Sequence, residues 1–563
     1  MHRKLIYVLI CLFIAIVILS NDSHFIDKPI NSGSLISPPP VGKDLTSPNS
    51  KPYPRLGMWW LDPYTASVDD IARYDLLLQD FDNDEILKEK YTQIRRLNLG
   101  QINLKPLSPS ERQLFMYDWE TNETYPNPEI TNLPSDFFLL QTGGRLIEPI
   151  DESTITLIRD RLKDDADQPL FHLGGEVAIG SYESAKIIAI NWSNNTLEVQ
   201  RGYVRAASSH EIGEKVASHI RFWPGSWVMN VTAACPAVKI SGIDKPVNWI
   251  GYYFNLISGN INGIYRHETD NYNLISKDLN YDGFVIDRFE DKESWLKWVN
   301  VGNVIELDLF HDFNVVSAEE FDSSWAKGTD QLQTLLKETY PESIIIRNNP
   351  ITSRFEPYDG QVYETSGWST PSQEWWEHLV VSADKEEYYS DIPYLGWFEN
   401  ETVKSPLVLF EVYQDESGPD ADGNGEYKNP FLKGDYIPDY KRMRFSLTTA
   451  LLGNGYYSYE INTNGHGSLG LMWFDEYDNA GEGKGYLGYP TSKPIKLESG
   501  IYVRYFDNGI ALVNPTDRAI LVNLPSPLQK IMGIQDVSVN SGEIVNSVTI
   551  DAFDGIILLN LDE

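Results

Sequence analysis

Eight short apolar segments recur along the chain between residues 55 and 459, and stretches with helical spacing or helix-start signals lie between several of them. Apolar runs of this length predict strands buried on both faces, and strands that alternate with helices predict a parallel sheet. Eight such strands predict an α/β fold, a (β/α)8 TIM barrel. The alternative is a doubly wound open sheet, which is disfavoured because no Gly-x-Gly-x-x-Gly fingerprint follows these strands. The predicted strands are residues 55–60, 75–81, 100–104, 282–287, 343–348, 360–364, 406–412 and 455–459.

Two helices are predicted from their first residues. The segment Ser317–Glu320 has the form of a capping box, in which a serine and a glutamate three positions later cap each other's backbone. The segment Thr370–Gln373 places Pro371 where a helix tolerates proline, at its first position.

In two parts of the chain, apolar and polar residues alternate with the two-residue period of β-strands rather than with the period of helices. Residues 174–220 are predicted to form a small β insertion within the barrel, and residues 496–563 a C-terminal antiparallel β-sandwich. The barrel itself is assigned to residues 53–495. A chain of 563 residues is long enough for one large domain with smaller additions of this kind.

The N-terminus has the composition of a targeting segment. Arg3 and Lys4 precede an uncharged apolar run over residues 5–20, so residues 1–20 are predicted to be either a cleaved signal peptide or an uncleaved signal anchor. Residues 21–52 are rich in Ser, Pro, Asn and Gly and are predicted to be a linker. The expected location is extracellular or at the cell surface, with a possible membrane tether through residues 5–20.

Composition excludes several classes of partner and site. The formal net charge of −35 argues against nucleic acid and anionic membrane surfaces. One of the two cysteines, Cys11, lies in the apolar run, so the remaining chain has one thiol and forms no internal disulfide. No cofactor and no metal is predicted. Residues 420–426 have Ca²⁺-loop spacing over their first half, but Phe431 occupies the closing acidic position, which favours an ordinary polar turn. Six Asn-x-Ser/Thr sequons fit a secreted glycoprotein.

Carboxylates follow several of the predicted strands. In barrel enzymes the working residues lie at the C-terminal ends of the strands. Two carboxylates facing each other across a barrel mouth are what glycosidic bond cleavage requires. We predict Asp287, after the fourth strand, as nucleophile or base, and Glu364, after the sixth, as general acid/base. Among the other strand-end candidates are Asn348, Glu411 and Glu460.

Each of these assignments has a structural alternative. Asp287 could form a salt bridge to Arg288 or Arg347, and Glu364 could position substrate without transferring a proton. Glu411 lies inside an apolar run and is as compatible with a paired core carboxylate as with a catalytic role.

A set of polar and aromatic residues near the strand ends is predicted to bind substrate. Sugar rings pack their C–H faces on aromatic rings, although any single Trp could equally pack within a loop. His466 could equally be a hydrogen-bonded loop residue. The predicted substrate-binding residues are Trp59, Trp60, Asn348, Trp368, Glu411, His466, Trp473, Asp475 and Glu476.

The chain resembles the glycoside hydrolases grouped as glycoside-hydrolase-like family fifteen, over about residues 54–516. The likeness is carried by the segments Asp282–Asp287, Gly360–Glu364, Ala450–Tyr459, Trp473–Asp478 and Val503–Thr516. The resemblance implies a glycosidase barrel. A nucleophile after strand four and an acid/base after strand six also look like the α-galactosidase and α-glucosidase superfamily, where both residues are usually Asp, whereas this chain has Glu364.

The insertion has a likeness of its own. The segments Leu197–Tyr203 and Ala206–Glu214 are similar to small β modules of viral and phage structural proteins. Such a module could bind or position a partner, or it could be a passive addition.

Together these features predict an exported glycoside hydrolase that cleaves a polysaccharide or glycan by a two-carboxylate mechanism. The rival from another class is a non-catalytic carbohydrate-binding or cell-envelope protein on a barrel scaffold. The sequence does not distinguish retention from inversion of the anomeric configuration.

Overall fold

The structure is a computed structural model, and it describes most of the chain from residue 51 onward. The described residues are 33–34, 51–59, 66–81, 85–118, 123–131, 133–164, 167–222, 225–258, 281–294, 296, 306–348, 354–364, 372–382, 392–415, 438–462 and 472–561.

The described strands and helices are numbered here in chain order. The strands are β1 (Gly33–Ser34), β2 (Gly57–Trp59), β3 (Leu76–Leu78), β4 (Ile102–Leu107), β5 (Glu111–Gln113), β6 (Phe115–Asp118), β7 (Glu123–Pro126), β8 (Gly144–Arg145), β9 (Thr156–Ile158), β10 (Glu176–Ile179), β11 (Glu183–Asn191), β12 (Thr196–Arg201), β13 (Lys215–Ser218), β14 (Ser226–Val228), β15 (Gly283–Ile286), β16 (Ile344–Asn348), β17 (Gly360–Glu364), β18 (Leu407–Asp415), β19 (Tyr456–Asn462), β20 (Ile495–Lys496), β21 (Tyr502–Phe506), β22 (Gly509–Asn514), β23 (Ile520–Lys530), β24 (Ile544–Ile550) and β25 (Asp554–Leu559). The helices are α1 (Val68–Ala72), α2 (Glu85–Leu97), α3 (Pro128–Thr131), α4 (Trp249–Ile257), α5 (Ala318–Thr339), α6 (Gln373–Val380), α7 (Gly396–Glu399), α8 (Tyr440–Leu452) and α9 (Asp475–Asp478).

Eight parallel strands form one sheet in the order β2–β3–β4–β15–β16–β17–β18–β19. A parallel bridge between Leu56 and Tyr457 joins its first strand to its last, so the sheet closes on itself. These strands are the eight that the apolar segments predict, and the (β/α)8 fold class is confirmed. The barrel interior is filled by Trp59, Leu76, Leu78, Ile102, Leu104, Val285, Ile346, Val362, Leu407, Leu409 and Tyr456.

The third barrel strand begins two residues later than predicted. Gly100 lies in a turn after α2, where the Asn98 side-chain amide donates to the carbonyls of Ala72 at 3.0 Å and Tyr74 at 2.9 Å. These bonds hold the chain in the turn, so the strand starts at Ile102 and continues to Leu107.

The two predicted helix starts differ in outcome. Ser317 caps α5 as expected, because its hydroxyl accepts a hydrogen bond from the Glu320 N–H at 3.1 Å. The other helix, α6, begins at Gln373 rather than Pro371. Its cap is Ser372, whose hydroxyl accepts from the Trp375 N–H at 3.1 Å.

An antiparallel six-stranded sheet lies in the chain between β4 and β15, in the order β8–β13–β10–β11–β12–β9. It has its own apolar core, which includes Leu157, Val177, Ile187 and Leu197. The extra antiparallel sheet agrees with the predicted β insertion. Its strands draw on residues 144–218, and the domain boundaries stated above stay predictions.

A buried ionic network lies in the part of this sheet for which a likeness to viral and phage modules is predicted. The carboxylate of Glu183 is fully buried and pairs with Arg201. His210 contacts Glu183 through Nε2 and Glu214 through Nδ1, each at 2.8 Å. Hydrogen bonds and ion pairs among these residues therefore fasten the loop after β12 to the sheet.

We expect this network to make the insertion less stable as the pH rises. Burial alone would lower the pKa of His210, but hydrogen bonds to Glu183 and Glu214 outweigh it and raise the pKa. A raised histidine pKa gives stability that is complete below the unfolded value of about 6.5 and is lost as the pH rises through the folded value. Hydrogen exchange over residues 176–218 should therefore quicken, beyond the intrinsic base-catalysed rate, as the pH rises above about 6.5.

The variant His210→Gln should lose this extra pH dependence while the barrel strands exchange as before. An unchanged pH dependence in His210→Gln would contradict the assignment.

Residues 495–559 and the short strand β1 form a seven-stranded sheet in the order β1–β23–β25–β22–β21–β20, with β24 on β23. All its pairs are antiparallel except β1 on β23, which agrees with the predicted antiparallel β domain. This sheet is bound to the barrel helix α8, where Arg444 contacts both carboxylate oxygens of Asp554 at 3.1 Å.

No helix in the described part of the chain has the length and apolar character needed to cross a membrane. Residues 1–20, on which the targeting prediction rests, lie outside the described residues, as does the 420–426 loop.

Candidate active site

The carboxylates at the barrel mouth lie on the same face of their strands as the side chains that fill the barrel interior. Side chains two residues apart on a strand lie on the same face. Val285, Ile346, Val362 and Leu409 are all in the barrel interior, so the positions two residues on also face inward. Those positions are Asp287, Asn348, Glu364 and Glu411, and Glu460 follows Ser458 in the same way on β19.

One amide joins the two predicted catalytic carboxylates. Asn348 Nδ2 donates to Asp287 Oδ1 and to Glu364 Oε2, each at 2.9 Å. Because both bonds share one nitrogen, these two carboxylate oxygens are at most about 5.8 Å apart. The structure therefore brings Asp287, Asn348 and Glu364 together at the end of three adjacent strands.

Glu364 has the surroundings of a carboxyl group that keeps its proton. Burial raises its pKa above the usual carboxyl range, while the hydrogen bond from Asn348 acts in the opposite direction. Burial is the larger of the two effects, so the protonated form is favoured at a higher pH than for an exposed glutamate.

Two further glutamates lie beside this group on β18 and β19. Glu411 and Glu460 are 0% and 1% exposed, and burial raises the pKa of both well above the usual range. The Trp59 N–H donates to Glu460 Oε1 at 3.2 Å. Glu411 is one of the predicted substrate-binding residues; it lies beside Glu364 on the adjacent strand and is fully buried.

The arginines considered as salt-bridge partners for Asp287 have strong partners of their own. Arg288 forms ion pairs with Glu111 and Glu293 and lies over the ring of Phe222 at 3.6 Å. Arg347 pairs with Asp291 at 3.0 Å. Both guanidinium groups are buried, and they stabilise the loops around β15 and β16.

Two of the tryptophans predicted to bind substrate, Trp59 and Trp473, lie within the described residues. Trp59 is 1% exposed and belongs to the barrel interior, where its backbone N–H donates to Glu460. Trp473 lies beside α1, with Arg73 3.4 Å above its ring and its indole N–H donating to Asp478 at 2.8 Å.

Asp475 and Glu476 contact the C-terminal domain. Asp475 Oδ2 accepts from the backbone N–H groups of Ile534 at 2.7 Å and Gln535 at 2.8 Å. Glu476 Oε1 accepts from the Asn540 side chain at 2.8 Å. Sequence position after the eighth strand suggests substrate binding for both residues, whereas their contacts fasten the barrel to the β domain.

Three predicted residues, Trp60, Trp368 and His466, lie outside the described residues. Glu460 is a strand-end candidate in the sequence to which no role is assigned. It lies two residues after Ser458 on the same strand, so the sequence already indicates that its side chain faces inward. Among the described residues, no group of three or more His, Cys, Asp or Glu side chains is arranged to hold a metal ion.

A closed parallel barrel with two carboxylates joined across its mouth is the arrangement found in glycoside hydrolases. Residues 272–510 match the family described as hypothetical glycosyl hydrolase family 15, which confirms the resemblance predicted from the sequence. This segment contains barrel strands β15–β19. No curated protein matches the chain.

Three solved structures to which the chain is similar are distant in sequence. The glycoside hydrolase domain of PelA from Pseudomonas aeruginosa is 10% identical, with 75% of this chain and 98% of that one covered at a TM-score of 0.30. An α-amylase from Geobacillus thermoleovorans is 9% identical, and the match covers 90% of this chain and 99% of the amylase with a TM-score of 0.33. A hypothetical maltooligosyl trehalose synthase from Sulfolobus tokodaii is 9% identical, and the match covers 91% of this chain and 100% of the synthase with a TM-score of 0.38. Likenesses at these TM-scores carry no argument about substrate or mechanism.

Proposed function

We propose that this chain is a retaining glycoside hydrolase in which Asp287 is the nucleophile and Glu364 the general acid/base. The observation that carries the proposal is the amide of Asn348, which bonds both carboxylates at 2.9 Å. Retaining enzymes have their carboxyl groups about 5–5.5 Å apart, and inverting enzymes about 6.5–9.5 Å apart to admit a water. An upper limit of about 5.8 Å between the two bonded oxygens favours retention.

The two carboxyl groups would divide the chemistry into two steps. In the first, Asp287 attacks the anomeric carbon while Glu364 gives its proton to the leaving oxygen, and the glycosidic C–O bond breaks. In the second, the ionised Glu364 takes a proton from water, the water oxygen attacks the anomeric carbon, and the ester to Asp287 is released. The raised pKa of Glu364 supports its assignment as the acid of the first step.

Asn348 would orient both groups without itself transferring a proton. Its amide donates one hydrogen to each carboxyl group, which holds their bonded oxygens at a fixed separation. The other oxygen of each group would meet the substrate. Alignment of this kind accounts for a large part of enzymatic rate enhancement, because the reacting groups need not be ordered at each turnover.

The substrate and the location remain proposals from the sequence. We propose a polysaccharide or other glycan as substrate, and a site of action outside the cell, with residues 5–20 either removed or acting as a tether. The rival is a barrel that binds carbohydrate without cleaving it, and a glycan panel separates the two. Release of reducing ends from at least one polysaccharide supports the hydrolase, whereas binding without release supports the rival.

The stereochemical prediction tests the mechanism directly. With a glycan that the panel shows to be cleaved, proton NMR taken within the first minutes should show product with the anomeric configuration of the substrate. Only mutarotation should then produce the other anomer. An initial product of opposite configuration would contradict the retaining mechanism and the role of Asp287 as nucleophile.

A trapping experiment assigns the nucleophile. Incubation with 2-deoxy-2-fluoro glycosyl fluorides of the matching sugar should leave one fluorosugar on the peptide that contains Asp287, as seen by mass spectrometry. Asp287→Ala should remain unlabelled. Label on a peptide containing Glu364 would reverse the two assignments.

A further inference from the structure

The six-stranded antiparallel sheet lies in the segment that follows barrel strand β4. Segments that follow the strands of a parallel barrel start at its carboxyl end, where active sites are built. The residues that lead from β4 into this segment contact the loop that carries Asp287. The Ser110 hydroxyl donates to the Asp287 backbone carbonyl at 3.5 Å, and Glu111 pairs with Arg288. The segment that contains the sheet therefore starts beside the proposed nucleophile.

The two faces of this sheet have different surroundings. Val177 on β10 and Ala185 on β11 face the apolar core of the sheet itself. Adjacent positions on a strand point to opposite faces, so Glu176 and Lys186, which are register partners, lie on the other face.

Contacts lead from this outer face to the proposed nucleophile. Arg221 pairs with Glu176 at 3.0 Å. The next residue, Phe222, lies under the Arg288 guanidinium, which is 3.6 Å from the centre of its ring. Arg288 directly follows Asp287 in the chain, so the outer face of the sheet is joined to the barrel mouth through one arginine.

The same face continues away from the mouth through two further aromatic rings. The Lys186 ammonium lies 5.1 Å from the centre of the Tyr203 ring, and that ring packs edge-on against Phe115 at 5.6 Å. Each of the five side chains that surround Glu176 on this path is partly exposed. We call them the junction surface: Phe115, Lys186, Tyr203, Arg221 and Phe222.

The composition of the junction surface suits a carbohydrate chain. Aromatic rings offer rigid apolar area for the C–H faces of sugar rings. The ammonium of Lys186 and the guanidinium of Arg221 carry several N–H donors each, which suit sugar hydroxyl groups. Because the surface leads away from Asp287, a chain cleaved at the mouth could contact it with sugars that do not react.

We propose that the junction surface binds sugars of a glycan chain beyond the bond that is cleaved, so that the enzyme acts on a chain rather than on a single terminal sugar. The place of the surface relative to the cleaved bond rests on the proposed function. The surface gives the antiparallel sheet a role in substrate binding.

Tyr203→Ala should reduce the preference for long substrates. The measure is kcat/KM for a polysaccharide that is cleaved, divided by kcat/KM for an aryl glycoside of one such sugar. This ratio should fall about tenfold, the scale of one lost aromatic contact, because only the chain reaches the ring. Tyr203→Phe keeps the ring and should keep the ratio.

A second variant guards against a loss of folding in Tyr203→Ala. Lys186→Gln replaces a partly exposed side chain of β11 by one of similar length. It removes a charged donor from the junction surface and should lower the same ratio a few-fold.

A matched control is Trp192→Ala. Trp192 is 43% exposed and follows the last residue of β11, whereas the Tyr203 N–H donates to the Ser184 carbonyl near the start of that strand at 3.4 Å. The control removes an exposed aromatic ring from the same sheet outside the junction surface, and its ratio should match that of the unmodified protein.

A binding measurement needs no turnover. In the Asp287→Ala background, isothermal titration with the same polysaccharide should show a Kd about tenfold higher when Tyr203 is also replaced by Ala. Adding Trp192→Ala instead should leave the Kd in place.

The outcomes separate this inference from the function on which it rests. An unchanged ratio in both Tyr203→Ala and Lys186→Gln overturns the inference, and so does an equal fall in Trp192→Ala. If the protein cleaves no glycan, the proposed function fails, and affinity alone decides the junction surface. A weaker Kd in the Tyr203 variant then supports carbohydrate binding there, whereas an unchanged Kd or no binding overturns it.

Discussion

Replacing Asp287 with Asn is expected to lower kcat by about 10⁴-fold or more, the scale seen when a covalent nucleophile is removed. An amide of the same shape can still accept the hydrogen bond from Asn348 through its oxygen, so the site should keep its geometry. What it loses is the charge that attacks the anomeric carbon. The measurement is steady-state hydrolysis of a glycan that the panel shows to be cleaved.

The control for Asp287→Asn lies at the other end of the same strand. Asp282 precedes β15 and accepts hydrogen bonds from Arg95 at 3.1 Å and from the Asn103 N–H at 2.8 Å. Asp282→Asn should keep kcat within a few-fold, because it changes the opposite end of the barrel. Azide should restore turnover of an activated substrate by Asp287→Ala, with a glycosyl azide of inverted configuration as product. A kcat within tenfold of the unmodified protein in Asp287→Asn would remove this residue from the mechanism.

Replacing Glu364 with Gln is expected to lower kcat by about 10²–10⁴-fold on glycans, which is the usual contribution of a general acid/base. The loss should be much smaller for glycosylation by a substrate with a dinitrophenolate leaving group, because that group departs without protonation. This dependence on the leaving group distinguishes a lost proton donor from a distorted site.

The pH dependence of activity should show the protonation state in which Glu364 works. Burial raises the pKa of Glu364, so the unmodified enzyme should retain its acid form, and its activity, to a higher pH than an exposed glutamate would allow. Above that pKa the rate should fall, and Glu364→Gln should lack this alkaline limb. The control is Glu377→Gln on α6, whose carboxylate pairs with Lys496 at 2.6 Å outside the barrel mouth. If the loss of activity at high pH persists unchanged in Glu364→Gln, another group is responsible for it.

The barrel could be predicted from local patterns because each strand carries its own signal. Runs such as Phe284–Ile286 and Ile344–Ile346 are apolar on both faces, and only burial between a layer of helices and a packed interior satisfies such runs. The position of Asp287 and Glu364 at strand ends followed from the same patterns. The two-residue step that carries Val362 to Glu364 also carries Ser458 to Glu460, so the inward-facing row was readable along the chain.

Contacts between distant segments were not predictable in this way. Asp475 and Glu476 follow the eighth strand and lie near the carboxylates in sequence terms, yet a loop about 60 residues later directs backbone N–H groups and an amide at them. Trp59 is predicted at the surface of the mouth, whereas the interior side chains of neighbouring strands enclose it. No local pattern carries information about which loop covers a residue.

The sequence by itself determined the order of the eight barrel strands, their closure class as a parallel barrel and the candidate carboxylates, because periodicity and burial act over a few neighbouring residues. The tertiary structure alone decided which of those groups share a site. It directed the single amide of Asn348 at both Asp287 and Glu364, and it buried Glu411 and Glu460 on the adjacent strands. The reason is physical: a separation of a few ångströms between carboxylates depends on the closure and stagger of the whole barrel, to which every strand contributes.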